Sequence, residues 1–199
     1  MKIVIDVGHG GVKDGVYTTA PSKQAFVNGK WMFEGVTNRF IGGMLGILLG
    51  WDGHEVIYTV HPDDPRDLSL PYRVRVANQH PDALFISIHN NAFNGTARGF
   101  EIFTSKGTTK SDDLATAIGE RVRSLYQNLN LKLRFDFSDG DLDKEADFYV
   151  LKRTKGVAVL LECLFFDNPQ DAKLLSDVEF LKSLVSAIYH GVNDYIKSI

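Results

Sequence analysis

The chain has 199 residues, of which 44% are hydrophobic and 24% are charged, a composition typical of a globular protein with a substantial core. The formal net charge of −3 argues against a nucleic-acid partner, which would require a concentrated basic surface. The single cysteine excludes an internal disulfide bond and a zinc site built from several thiolates. The length fits one domain.

The N-terminal segment combines a buried-strand pattern with a glycine-rich turn. Ile3 to Val7 predicts a strand covered on both faces. The Gly-His-Gly-Gly sequence that follows puts His9 on a turn at the end of this strand. A side chain at such a position is poorly placed to pack in the core and well placed to bind a ligand. From Gly11 to Phe33 the sequence predicts a long irregular loop, and loops of that length within domains are usually functional.

Helices and strands then alternate. The sequence predicts a helix from Val36 to Leu49, a strand from His54 to Val60, and a helix from Leu70 to Asn78 with Pro71 in its first turn. The most apolar segment, Phe40 to Trp51, is too short to span a bilayer, so we expect no membrane insertion. It indicates a buried helix whose glycines allow close approach to a sheet.

The second half of the chain continues the alternation. It contains predicted strands at Ala83–His89, Gly99–Thr104 and Val157–Phe166, a helix capped by Ser111 that runs to Asn128, and a closing helix from Val178. This order predicts a three-layer α/β fold, in which a twisted, mostly parallel sheet is flanked by helices on both faces.

Three residues with suitable chemistry, His9, His89 and Glu162, are expected at one edge of this sheet, because ligands of such folds bind beyond the carboxyl ends of the strands. His9 and His89 end two strands, and Glu34 lies where the long loop enters its helix. Two imidazoles and a carboxylate can hold Zn²⁺ and leave a position for water. Glu162, within the apolar run of a central strand, could accept the proton of that water.

Each of these residues also has a structural interpretation. His9 could hydrogen-bond within its turn, His89 could be a core histidine, and Glu34 could be a solvated carboxylate at a helix start. Glu162 is the hardest to explain in this way, because a charged carboxylate is rarely buried without a partner.

Three further features of the sequence have a functional and a structural interpretation. Asn91 could contact the substrate or support a ligand histidine, with a structural role in its turn as the alternative. Cys163 alternates with Glu162 along the strand, so we expect it to face the opposite side as a small buried residue. The acidic segment Asp136–Asp147 could bind calcium but lacks EF-hand spacing, so we expect an exposed loop at the rim of the groove.

The sequence resembles the zinc-dependent N-acetylmuramoyl-L-alanine amidases, a family of bacterial cell-wall amidases and phage endolysins. The matching stretches, in order, are IDVGHGG, EGVTN, LPYRVRVAN, LFISIHNNA, GFEIF and VAVLLECLFFDN. The resemblance implies that His9, Glu34 and His89 are zinc ligands and that Glu162 is the catalytic glutamate. It also implies a single catalytic amidase domain over residues 1–199, with Zn²⁺ as cofactor and peptidoglycan as substrate. We expect a monomer.

Two alternatives remain at this point: a zinc peptidase or deacetylase that acts on another amide, and a catalytically silent wall-binding module. The expected site of action is the cell wall, in an extracellular or periplasmic location. No signal peptide is visible. We therefore expect either release from the cytoplasm during phage lysis or an exported enzyme whose leader has been removed.

Overall fold

The computed structural model describes all 199 residues. Its strands are β1 (Lys2–Val7), β2 (Val12–Lys13), β3 (Val16–Tyr17), β4 (Gln24–Val27), β5 (Lys30–Phe33), β6 (Glu55–Tyr58), β7 (Leu84–Asn91), β8 (Glu101–Thr104), β9 (Lys144–Glu145) and β10 (Ala158–Phe165). Its helices are α1 (Glu34–Trp51), α2 (Leu70–Asn78), α3 (Lys110–Asn128), α4 (Tyr149–Arg153), α5 (Pro169–Leu174) and α6 (Val178–Ser198).

Six strands form the central sheet in the order β6-β1-β7-β10-β8-β9. The first four are parallel, whereas β8 is antiparallel to β10. Side chains from α1, α3 and α6 build a large core on one face, and those from α2 and α4 build a smaller core on the other. Leu161 of β10 belongs to the first core and Leu160 to the second, as alternation along a strand requires. The predicted three-layer α/β fold with a mostly parallel sheet is confirmed.

Glycines bring α1 close to the sheet, as predicted. A β-carbon added to Gly42 would lie 2.5 Å from Cγ1 of Val7, and one added to Gly46 would collide with the ring of Tyr58. The opposite side of this helix faces solvent, where Trp51 is 81% exposed. No helix of the structure has both the length and the apolar content needed to cross a membrane.

The prediction of an irregular loop from 11 to 33 is wrong, because this segment contains two β-hairpins. The turn between β2 and β3 is Asp14-Gly15, and the turn between β4 and β5 is Asn28-Gly29. All four turn residues have positive φ, between 50° and 78°. Two-residue hairpin turns require this left-handed backbone, which glycine, asparagine and aspartate adopt most readily.

The start of α3 also differs from the prediction. The N-cap is Thr109 rather than Ser111, because the Thr109 hydroxyl accepts the backbone N–H of Ser111. Asp112 completes a capping box by accepting the backbone N–H of Thr109 at 2.6 Å. The first turn of α3 contains the acidic residues Asp112 and Asp113. The short elements β9, α4 and α5 were not predicted from the sequence.

Candidate metal centre

Two histidines and one glutamate converge at the carboxyl edge of the sheet. His9 follows β1, His89 lies in β7, and Glu34 is the first residue of α1. Oε1 of Glu34 is 3.0 Å from Nδ1 of His89 and 3.2 Å from Nε2 of His9. One potential ligand atom from each residue lies within 4.8 Å of the others. The structure therefore brings together the three residues that the sequence singled out.

The backbone around His9 is held in an unusual conformation. His9 has a φ of 63°, in the left-handed region that few residues other than glycine adopt. Its carbonyl oxygen accepts hydrogen bonds from Arg39 Nη1 at 2.8 Å and from Arg73 Nη2 at 3.3 Å. Gly8 leaves room for the ring of His89, with which any β-carbon at Gly8 would collide. Both imidazoles are therefore positioned by their surroundings.

Glu34 is not the solvated helix-start carboxylate of the alternative interpretation, because its side chain is only 1% exposed. Burial raises the pKa of this carboxyl group, but the hydrogen bond with His89 and the nearby ring of His9 outweigh burial and lower the pKa overall. Burial lowers the pKa of His89, yet its hydrogen bond and attraction to Glu34 raise the pKa overall. Glu34 and His89 thus stabilise each other's charged forms.

The donor atoms of this group are not fully used within the protein. Nε2 of His9 and Oε2 of Glu34 are buried and have no hydrogen-bond partner of suitable geometry. The ammonium group of Lys23 lies 3.4 Å from Oε2 of Glu34. Buried nitrogen and oxygen atoms without hydrogen-bond partners are available as metal ligands, and two imidazoles with one carboxylate form a donor set suited to Zn²⁺. The residues fit the metal that the resemblance implies.

Glu162 lies beside this group. Its Cα pairs with that of His89 across β10 and β7, so the two side chains project from the same face of the sheet. Oε2 of Glu162 is buried without a hydrogen-bond partner. Burial raises the pKa of this carboxyl group to about 8, against an attraction to His89 that lowers it. Cys163 is fully buried on the other face, and burial raises its thiol pKa, which confirms its prediction as an inert core residue.

A buried polar network that the sequence analysis missed supports the site. Asp6 of β1 accepts hydrogen bonds from Thr59, Ser87 and Arg73, and Arg73 is only 2% exposed. Arg73 also donates to the carbonyl oxygen of Val7 at 2.7 Å. The network therefore ties α2 to the strand that precedes His9. Two features of the sequence could have revealed this network: Asp6 lies inside an apolar strand, and Arg73 lies on the buried side of an amphipathic helix.

Two asparagines link α1 to β7 behind the metal centre. Asn90 donates to Oδ1 of Asn38 at 2.8 Å, and Asn38 donates to the carbonyl oxygen of Gly8 at 3.0 Å. Asn91 takes a structural role, because its side chain donates to Glu101 at 2.7 Å and accepts the N–H of the next residue. This outcome favours the structural alternative for Asn91 over contact with a ligand histidine.

An open cavity adjoins the two histidines. It has a volume of about 380 Å³ and is lined by Gly8, His9 and His89 together with Arg73 and residues 67–70. A larger cavity of about 680 Å³ lies at the other end of the strands, and its lining contains no histidine. Of these two cavities, the smaller one borders the candidate metal centre.

Comparison with known proteins identifies the family. The family model described as N-acetylmuramoyl-L-alanine amidase matches residues 3–194. The chain belongs to the N-acetylmuramoyl-L-alanine amidase family. Among curated relatives of this amidase family member, CwlM of Bacillus licheniformis, an N-acetylmuramoyl-L-alanine amidase, is 30% identical over 96% of this chain and 67% of its own length.

Two further relatives are longer than this chain. An uncharacterized cell wall amidase of Bacillus anthracis is 29% identical over 97% of this chain and 35% of its own length. The endolysin of Bacillus phage SPP1 is 27% identical over 96% of this chain and 65% of its own length. The chain thus spans about a third of the first relative and about two thirds of the second.

Solved structures agree with the fold. Cwp6 from Clostridium difficile superposes with a TM-score of 0.77 at 28% identity, over 98% of this chain and 29% of that chain. Ami1 from Mycobacterium smegmatis superposes with a TM-score of 0.81 at 19% identity, over 100% of this chain and 98% of that chain. The second likeness concerns the fold alone. Together these comparisons confirm the family that the sequence motifs indicated.

Proposed function

We propose that this amidase is a zinc-dependent hydrolase that cleaves the amide between the lactyl group of N-acetylmuramic acid and L-alanine in peptidoglycan. The observation that supports the proposal most strongly is the convergence of His9, Glu34 and His89 within 4.8 Å, beside the unpartnered carboxylate of Glu162. Family membership supports the same substrate and bond.

In this proposal His9, Glu34 and His89 hold the zinc ion through two nitrogens and one oxygen. When bound, zinc lowers the pKa of water and polarises a carbonyl group. The fixed backbone at His9 and the space that Gly8 leaves for His89 keep the two imidazoles oriented before any metal arrives. The protein therefore contributes a preorganised set of donors.

Glu162 moves the proton. Its carboxylate accepts a proton from the attacking water and then donates that proton to the nitrogen of the departing alanine. In the metal-free protein burial raises the pKa of this carboxyl group to about 8. A bound Zn²⁺ would favour the ionised carboxylate, which is the form that accepts the proton. The neighbouring position of His89 places this transfer next to the metal ligands.

The substrate places the site of action at the cell wall. The phage endolysin among the relatives supports release by phage lysis as one route to that substrate. Polar backbone and side-chain groups of residues 67–70 border the cavity beside His9, where they can contact the muropeptide. Monomeric action on the wall remains our prediction.

Analysis of digestion products tests the proposed reaction. We expect the zinc-loaded protein to release peptides that begin with L-alanine and to leave glycan chains intact, as measured by mass spectrometry of purified peptidoglycan. Glu162→Gln should reduce the rate by at least about 100-fold, because proton transfer is lost, while zinc content stays at the wild-type level. Glu55→Gln, at an exposed position of β6, serves as the matched control and should retain activity.

Other outcomes would identify the alternatives. Cleavage between amino acids would indicate a peptidase, and release of acetate would indicate a deacetylase. Binding to the wall without any product would indicate a silent wall-binding module. Digestion by Glu162→Gln at the wild-type rate would show that Glu162 does not carry the proton.

A further inference from the structure

A second group of carboxylates lies away from the metal centre. Asp112, Asp141 and Asp143 each offer an oxygen within 4.8 Å of the others. The last two belong to the acidic segment Asp136–Asp147, and Asp112 lies in the first turn of α3. Thr104 at the end of β8 contacts this group. Glu162 pairs with Glu101 at the other end of β8, so the acidic group and the metal centre lie at opposite ends of this strand.

A buried leucine fixes the acidic segment in place. Leu142 is 2% exposed and belongs to the large core. It packs against α3 at Gly119, where an added β-carbon would collide with the leucine side chain. The residues on either side of Leu142 are therefore held against the sheet and α3. The prediction of an exposed loop holds for residues 136–140 but is wrong for Asp143, which is buried.

Asp143 has an oxygen that the protein leaves without a partner. The residue is 2% exposed, and Oδ2 accepts a hydrogen bond from the Thr104 hydroxyl at 2.6 Å. Oδ1 is enclosed and has no hydrogen-bond partner. Burying a carboxylate oxygen in this way is costly, and proteins seldom leave one unsatisfied. This orphaned oxygen points to a ligand, independently of the clustering of acidic residues.

No basic side chain compensates the group. None of the three carboxylates forms a salt bridge, and Lys144, the neighbour of Asp143, directs its ammonium group to Glu101 at 2.6 Å instead. Burial, together with repulsion from Asp141 and Asp112, raises the pKa of Asp143 to about 7. The neighbouring carboxylates therefore disfavour the negative charge of Asp143, and a divalent cation would offset their repulsion.

We propose that Asp112, Asp141 and Asp143 form a calcium site that fastens the acidic segment to the start of α3. All the donors are hard carboxylate oxygens, the ligands that Ca²⁺ prefers, and its coordination shell of six to eight accommodates irregular geometry and water molecules. The group contains no imidazole or thiolate, so its chemistry differs from that of the His9, Glu34 and His89 cluster.

Calcium titration tests the proposal, with Zn²⁺ first supplied in one equivalent so that the metal centre does not take up the probe. In about 10 mM CaCl₂ the wild-type protein should show a saturable calorimetric signal and a Tm about 5 °C higher than without calcium. Asp143→Asn should lose both responses. Its Tm without calcium should equal or exceed that of the wild type, because the substitution removes the repulsion.

Asp139→Asn is the matched control, since Asp139 is an exposed residue of the same segment and is not part of the group. This variant should retain the wild-type response to calcium. Equal responses from the wild type and Asp143→Asn would overturn the proposal. The absence of any response from the wild type would overturn it as well, and would leave a proton shared between carboxylates as the explanation of the group.

Discussion

The buried surroundings of the Glu162 carboxyl group, the proposed proton carrier, also make the stability of the protein depend on pH. Its unpartnered Oε2 and the surrounding burial raise the pKa from 4.5 to about 8 in the folded, metal-free protein. Between these two pH values the folded chain keeps a proton that the unfolded chain has released. The contribution of Glu162 to the stability of the metal-free protein therefore falls as pH rises through this window, because at this group the folded state binds more protons than the unfolded state.

Glu162→Gln should remove this pH dependence. The substitution preserves shape but cannot ionise, so the metal-free variant should exceed the wild type in free energy of unfolding by about 1–2 kcal/mol at pH 8. This difference in free energy of unfolding is smaller than the whole pKa shift would imply, because the side chain of Glu162 is only half-buried and solvent screens its charge. Near pH 5 the two proteins should be nearly equal. Urea denaturation at both pH values checks this, and a difference independent of pH would contradict it.

Arg73 is the residue on which the buried polar network depends. Arg73→Met would leave Asp6 as an uncompensated buried charge, so we expect a loss of about 3–5 kcal/mol in the free energy of unfolding. Arg75→Met, on the exposed side of the same helix, is the matched control and should cost less than about 1 kcal/mol. Adding Asp6→Asn to Arg73→Met should restore part of the loss. Equal effects of the two single substitutions, measured by chemical denaturation, would refute this role.

At the scale of elements, α1 joins the metal centre to the sheet through glycine contacts. Gly42→Ala should destabilise the protein by about 1–3 kcal/mol, because its methyl group would lie 2.5 Å from Val7 Cγ1. Gly50→Ala in the same helix meets no atom within 4 Å and should stabilise by about 0.5–1 kcal/mol, as a better helix former. Thermal unfolding of the two variants checks the opposite signs. Stabilisation by Gly42→Ala would disprove the close approach.

Elements differed in how well the sequence predicted them. The boundaries of α2 were predicted correctly, because Pro71 marks its first turn and the apolar spacing is regular. The hairpins between residues 11 and 33 were missed although Asp14-Gly15 and Asn28-Gly29 are typical hairpin turns. Their strands are only two to four residues long, and runs this short carry almost no periodic pattern.

At the scale of the whole molecule, the residues of the candidate site could be predicted from the sequence, whereas the buried hydrogen-bond network around Asp6 that supports them could not. His9, His89 and Glu162 could be grouped because the ends of parallel strands meet at one edge of a sheet, and Glu34 was added as a third ligand where the loop enters α1. The partners of Asp6 lie 53, 67 and 81 positions away along the chain. Such pairings depend on how distant elements pack, and a single sequence does not contain that information.

The coordination of zinc in the purified protein tests the central claim most directly, by X-ray absorption at the zinc edge. We predict one zinc ion per chain with only nitrogen and oxygen neighbours at about 2.0–2.1 Å, and a spectrum that shows two imidazole rings. His89→Ala should lose the ion or one imidazole. A sulfur neighbour at about 2.3 Å, or a protein that is active without any zinc, would contradict the assignment of His9, Glu34 and His89 as the metal ligands.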